Sequence, residues 1–212
     1  MPRTLLATLA AALLGTAPSL ADDGSAITVS SSGPAALQHH RGVFLRPDLG
    51  FGYVSANASP GGTDLCIAGP AASLGIAAGG AIARNQILAI HFWDFVASNP
   101  NVTTGGLRSA SANSGFALFA LGPEYTFYSN ANYYLSASPA LTRINYLSHG
   151  SASSSNFGYG LRASFGKEWW ASESWGLGVA AQVSVSVNQD SGTNAPTWTS
   201  WGATVAFSAT YN

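Results

Sequence analysis

The sequence predicts an all-β fold, an eight-stranded antiparallel up-and-down transmembrane β-barrel, and three observations carry that expectation. Charge is scarce: of 212 residues 47% are hydrophobic and only 8% charged, against roughly 25% charged in an ordinary soluble domain. Beyond the first segment, no apolar run reaches the ~18 residues that a membrane-spanning helix requires. Instead, in one segment after another, apolar residues alternate with Gly, Ala, Ser or Thr, the period of a strand with two unlike faces. The same composition excludes other classes. Eight Lys plus Arg and nine Asp plus Glu cannot supply the charged surface of a soluble enzyme. An aromatic content of 11% and a formal net charge of -1 argue against disorder. Without a basic stripe there is no footprint for nucleic acid.

The elements follow in order. Arg3, an apolar run from Leu5 to Leu14, and Ser19-Leu20-Ala21 before Asp22-Asp23 form a secretory signal peptide, residues 1–21, cleaved after Ala21. As a membrane span the run fails, because it covers only about half of a ~30 Å hydrocarbon core. Cys66 is the only cysteine, so no internal disulfide is available; in the first long loop it reads equally as a thiol that dimerises or reacts and as an inert one. No cofactor and no metal are expected. Residues 22–40, containing Ser30-Ser31-Ser32-Gly33-Pro34, read as a flexible periplasmic lead. His39-His40 in that lead are read as solvated, since two adjacent histidines do not build a metal site.

Residues 41–212 read as the barrel, with strands near 41–57, 72–84, 86–98, 116–129, 131–147, 156–171, 174–189 and 197–212. The clearest is Trp175 to Asn188, where Trp175, Leu177, Val179, Ala181, Val183, Val185 and Val187 interleave with small or polar residues. A sandwich strand would carry charge on its second face; small uncharged residues suit the crowded interior of a narrow barrel. Connections at 84–86, 129–131 and 172–174 are tight, whereas 58–71, 99–115, 148–155 and 190–196 are longer. That alternation places the short turns and both termini in the periplasm of a bacterial outer membrane. Tyr125, Phe127, Tyr133, Trp169, Trp175 and Tyr211, with Tyr128, Tyr134 and Trp170, are assigned to an aromatic girdle at the turn side. Trp93, Phe95, Trp198 and Trp201 are assigned to the opposite rim. Pro139, which lacks an N–H for the ladder, predicts a bulge or kink.

Three segments carry a resemblance: GPEYTFYSNANYYLSA (Gly122 to Ala137), FGKEWWASESWGLG (Phe165 to Gly178) and the terminal FSATYN (Phe207 to Asn212). From about Gly42 onward the chain resembles the small eight-stranded outer-membrane barrel superfamily that includes outer-membrane proteins A, X and W. That resemblance implies recognition by the barrel assembly machinery, although the family usually ends on Phe or Trp and this chain ends Tyr211-Asn212.

Parity turns most charges inward. Outward Leu45, Leu49, Phe51 and Tyr53 direct Arg46 and Asp48 into the lumen; the same argument directs Glu124, Arg162 and Glu168 inward and, if Leu88, Ile90 and Phe92 face lipid, adds His91 and Trp93. Lipid exposure of such charges costs ~2–4 kcal/mol for Arg at the midplane, so the six ionisable residues are read as one internal ion-pair cluster that satisfies buried charge and plugs the barrel. Lumen residues are otherwise read as mainly Gly, Ala and Ser. The function expected is therefore non-enzymatic: an integral barrel with a side-chain-filled lumen, surrounded by outer-membrane lipids, with surface loops free for an unidentified ligand. A narrow channel for small or apolar solutes, as in W-like barrels, is the alternative. His149-Gly150-Ser151 resembles the His and Ser of lipid A deacylases, but the pair has no nearby carboxylate in sequence and is read as chance.

Overall fold

The structure is a computed structural model that describes residues 40–110, 114–148, 151–190 and 195–212, all within one compact unit, Ala36–Asn212. The expected signal peptide, nearly all of the lead, and His149 lie outside the described residues. In chain order the strands are β1 (Val43–Ala58), β2 (Leu65–Ala83), β3 (Gln86–Ser98), β4 (Asn101–Thr104), β5 (Leu107–Ala110), β6 (Gly115–Tyr128), β7 (Tyr133–Ser148), β8 (Ser151–Ser154), β9 (Gly158–Trp170), β10 (Trp175–Gln189) and β11 (Thr197–Tyr211). Long strands β1, β2, β3, β6, β7, β9, β10 and β11 pair in that order, all antiparallel, and β1 pairs both β2 and β11. The sheet closes as an eight-stranded barrel. Closure leaves no unpaired edge, which hydrocarbon would penalise by several kcal/mol per orphaned backbone group.

Short strands β4 and β5 form a hairpin in the longest connection, and β4 continues the sheet beside the upper end of β2. β8 pairs the end of β7. The tight turns gather at the other rim, where Asn85 and Asn132 adopt positive φ of 59° and 58°, a left-handed conformation that Asn tolerates better than most residues.

Alternation places every second side chain outside. Val183 is 58% exposed and Val185 56%, which rules out a two-layer stack that would bury them. Their neighbours Gln182, Ser184 and Ser186 are buried in the lumen.

Two expectations about strands need correction. β2 begins at Leu65 rather than near residue 72, and pairs β1 over its whole length, from Val43↔Gly80 to Ala58↔Leu65. Pro70 falls within this extension. It lies where the far side of β2 passes from β3, last paired at Ala72, to β4, first paired at Ala68, so no ladder bond is lost there. Pro139 causes no bulge. The β6–β7 register is the same on both sides of it, Leu121↔Leu141 and Tyr125↔Ala137, with Thr142 still buried and Arg143 still exposed. In this register Pro139 stands opposite Pro123, a second residue without an N–H, so the two share a single gap in the ladder.

Candidate functional site

The lumen divides along the barrel axis. Near the turn rim, Arg46 on β1 gives an Nη2 hydrogen bond of 2.7 Å to Glu124 Oε1 on β6, and His91 Nδ1 on β3 lies 2.9 Å from Glu124 Oε2. Thr126 donates to the same carboxylate at 3.0 Å. Arg46 Nη1 also reaches Tyr128 Oη at 3.4 Å; that hydroxyl in turn donates to Glu168 Oε1 at 2.9 Å. Thr210 donates to Glu168 Oε1 at 2.7 Å. The result is one buried network running from His91 through Glu124, Arg46 and Tyr128 to Glu168. Burying these charges is tolerated only because each carboxylate meets a cation or several donors. The Arg46 guanidinium lies 4.8 Å from the centre of the Tyr134 ring and 5.5 Å from that of Phe44.

His40 closes this end. Its ring stacks on Tyr128 at 3.6 Å, lies 5.1 Å from Trp170, and its Nε2 is 3.9 Å from Glu168 Oε2. The expectation of a solvated His40 is therefore corrected: it is 1% exposed, because its flat ring covers a buried tyrosine at the mouth.

All six inward charges are buried, but they do not form a single cluster. Asp48 accepts from Gln182 Nε2 at 3.2 Å, and Thr204 donates to Gln182 Oε1 at 3.1 Å. Arg162 stands higher. It donates to Ser73 Oγ at 3.0 Å and to the Asp94 carbonyl at 3.3 Å, with its guanidinium 4.4 Å over Trp93 and 5.0 Å over Phe95. Among the described residues no carboxylate oxygen lies within 4.0 Å of it; Asp48, Asp94 and Glu124 act on its charge from farther away, and aromatic faces supply the near contacts.

Above Arg162 the large side chains are apolar, beside a small buried polar patch in which Thr142, Ser186, Asn188 and Ser200 hydrogen-bond to one another. Val54, Trp93, Phe95, Phe116, Leu118, Ile144 and Trp198 form one buried cluster toward the loop rim. The reading of the inner face as mainly Gly, Ala and Ser holds for the wall, but the space those small residues leave is not open: indoles and phenyl rings fill it, and glycines in the wall make room for them. A Cβ at Gly202 would sit 2.6 Å from Phe95 Cζ, and one at Gly166 2.6 Å from the Tyr134 ring. Trp93, Phe95 and Trp198 accordingly leave the outer aromatic belt, where only Trp201 of those four faces outward. Tyr128 and Tyr134 likewise point inward. Tyr125, Phe127, Tyr133, Trp169, Trp175 and Tyr211 all face out near the turn rim.

Thr126, Tyr128, Thr210, Gln182 and His40 were missed as members of the lower site. The first two were legible in principle, since Glu124, Thr126 and Tyr128 share one face of β6 by period two. Across-lumen partners leave no such signal.

The closed eight-stranded wall has counterparts among solved structures. The structure superposes on neisserial surface protein A with a TM-score of 0.55 at 17% identity, covering 80% of this chain and 96% of that one. It superposes on the outer membrane protein OprG from Pseudomonas aeruginosa with a TM-score of 0.51 at 15% identity, covering 83% of this chain and 99% of that one. This is the fold of the small outer-membrane barrels. No protein-family model and no curated protein sequence matches the chain. Within this barrel Cys66 is a half-buried residue of β2 rather than a loop thiol, its Sγ 3.8 Å from Ser55 Oγ. Among the described residues no group of three His, Cys, Asp or Glu side chains is placed to hold a metal ion.

Proposed function

We propose that this protein is a non-enzymatic integral barrel of the bacterial outer membrane, with both termini and the short turns in the periplasm, whose lumen is a packed plug and whose working surface is its long-loop rim. One observation carries the reading: buried side chains fill the interior from His40 and Tyr128 at one mouth to Phe116 and Trp198 at the other. An eight-stranded barrel is just wide enough to be filled this way. Such a lumen offers solutes no continuous wet path, and its charges are held by counter-ions, hydrogen bonds or aromatic faces. The aromatic band beside the short turns supports their placement at a membrane interface. On this reading the terminal Phe207 to Asn212 segment, ending in outward-facing Tyr211, is the assembly machinery's recognition element, and the β4–β5 hairpin is presented to the cell exterior.

The test is electrical and topological. The purified, refolded protein in a planar bilayer is expected to give no steady conductance; reproducible ohmic steps would replace the plug with the narrow-channel reading. Protease added to intact cells is expected to cut within 99–115. Protection there until the outer membrane is breached would invert the orientation.

A further inference from the structure

We propose that the outer wall carries a binding site for one anionic glycerophospholipid of the periplasmic leaflet, headed by Lys167. The proposal rests on the orientation given above. Lys167 is an outward-facing charge in the wall, opposite Tyr133 on β7 and Val179 on β10. Its Nζ lies 4.0 Å from the centre of the Tyr133 ring and 5.9 Å from that of Trp169. An ammonium carries three donors, and this one gives one of them, at 3.0 Å, to the Ala131 carbonyl in the β6–β7 turn. The side chain therefore bends toward the turn rim, as a lysine does when it lifts its charge to headgroup level.

Beside it the wall is grooved. Above Lys167 the outward row runs Leu135, Phe165, Ala181, Val205, and the methyl group of Ala181 leaves a trench between the larger side chains. The groove measures about 420 Å³ and is lined by Tyr133, Phe165, Lys167, Trp169, Val179 and Val205 among others. Phe165 and Tyr133 stack at 6.1 Å with planes 7° apart, giving the trench a rigid aromatic side. Apolar walls ending in a cation at the interface match one amphiphile: an acyl chain lies in the trench while its phosphate takes the ammonium. A neutral solute would leave the charge without a partner, and a free phosphate would leave the trench to bulk lipid.

The full-length exported protein is reconstituted in bilayers of phosphatidylcholine with a minor fraction of phosphatidylglycerol, then taken into detergent, and the lipids retained per barrel are counted by native mass spectrometry. The wild type is expected to retain phosphatidylglycerol in preference to phosphatidylcholine. Lys167→Gln should lower that retention by roughly fivefold, the size of one lysine contact with an anionic surface. Lys167→Arg should keep it, and Arg143→Gln at the opposite rim should leave it unchanged. Ala181→Phe, which fills the trench without touching the charge, should also lower it. Heat-modifiable migration checks that each variant is folded; should Ala181→Phe not fold, Lys167→Gln decides alone. Equal retention by wild type and Lys167→Gln, or, in a second mixture with monophosphoryl lipid A added, preference for that lipid over phosphatidylglycerol, would overturn the site while leaving the barrel intact. A wild-type chain that never enters bilayers would overturn the membrane reading itself, and the site with it.

Discussion

The two ends of the lumen solve the same problem by different means. Both must fill a narrow cylinder whose wall has small residues on its inner face. Toward the turns the filling is polar: Arg46, Glu124, His91, Tyr128 and Glu168 make short, directional contacts across the bore. Toward the loops it is aromatic: Trp93 and Phe95 meet edge to face at 6.1 Å, and Trp198 lies 5.6 Å from Tyr146. A charge network fails abruptly when one partner is removed, because the remaining charge is stranded in low dielectric. An apolar plug is sensitive instead to volume, in either direction. The barrel thus has one end tuned by pairing and one tuned by shape.

The largest expected effect breaks the pairing. Arg46→Leu leaves Glu124 buried with only His91 and Thr126, and should cost about 3–5 kcal/mol, the range for an uncompensated buried charge. Urea unfolding in lipid vesicles, followed by heat-modifiable migration, measures it. Adding Glu124→Leu should return part of that loss, since an apolar pair of similar volume is often neutral there. A double variant worse than Arg46→Leu would mean that the two residues stabilise the barrel separately and that the lower half is no network.

A smaller effect probes shape at the other end. Gly202→Ala places a methyl carbon 2.6 Å from the Phe95 ring, and Phe95 is 1% exposed, so the ring has little room to retreat. Overpacking of this kind costs about 1–3 kcal/mol. Phe95→Leu in the same chain should relieve it, because a shorter side chain withdraws from the wall. Unchanged midpoints for Gly202→Ala would show a loop-side lumen looser than its contacts suggest.

How much of this was visible in the residues depends on what period two can encode. Parity states which face a side chain takes, and that was enough for the wall and for burying Arg46, Asp48, Glu124, Arg162 and Glu168. It also set Trp93 beside His91 on the inner face, and it forbids both Tyr133 and Tyr134 from facing lipid, so Tyr134 was legible as an inward residue where rim position was followed instead. Parity says nothing of which strands face one another across the bore. Tyr128 on β6 meeting Glu168 on β9, or His40 lying over Tyr128, follows from closure of the cylinder and the tilt of its strands. Pro139 misled for a related reason: a missing N–H matters only if the register aims it at a partner, and register is a property of two strands.

The smallest effect is the sharpest test of the division between the two ends. Arg162 and Arg46 share a charge and a lumen, yet Arg46 holds Glu124 at 2.7 Å while Arg162 sits among Trp93, Phe95 and Ser73. A double-mutant cycle of Arg162→Gln with Glu124→Gln should therefore add to within about 0.3–0.5 kcal/mol, as for independent sites. The matching cycle of Arg46→Gln with Glu124→Gln should couple by about 0.5–3 kcal/mol. Equal coupling in both cycles would mean that the lumen behaves as one electrostatic body, with the aromatic faces around Arg162 doing no insulating. Near-additivity for Arg162 would mean that two indifferent devices, one ionic and one aromatic, are stacked within a single wall.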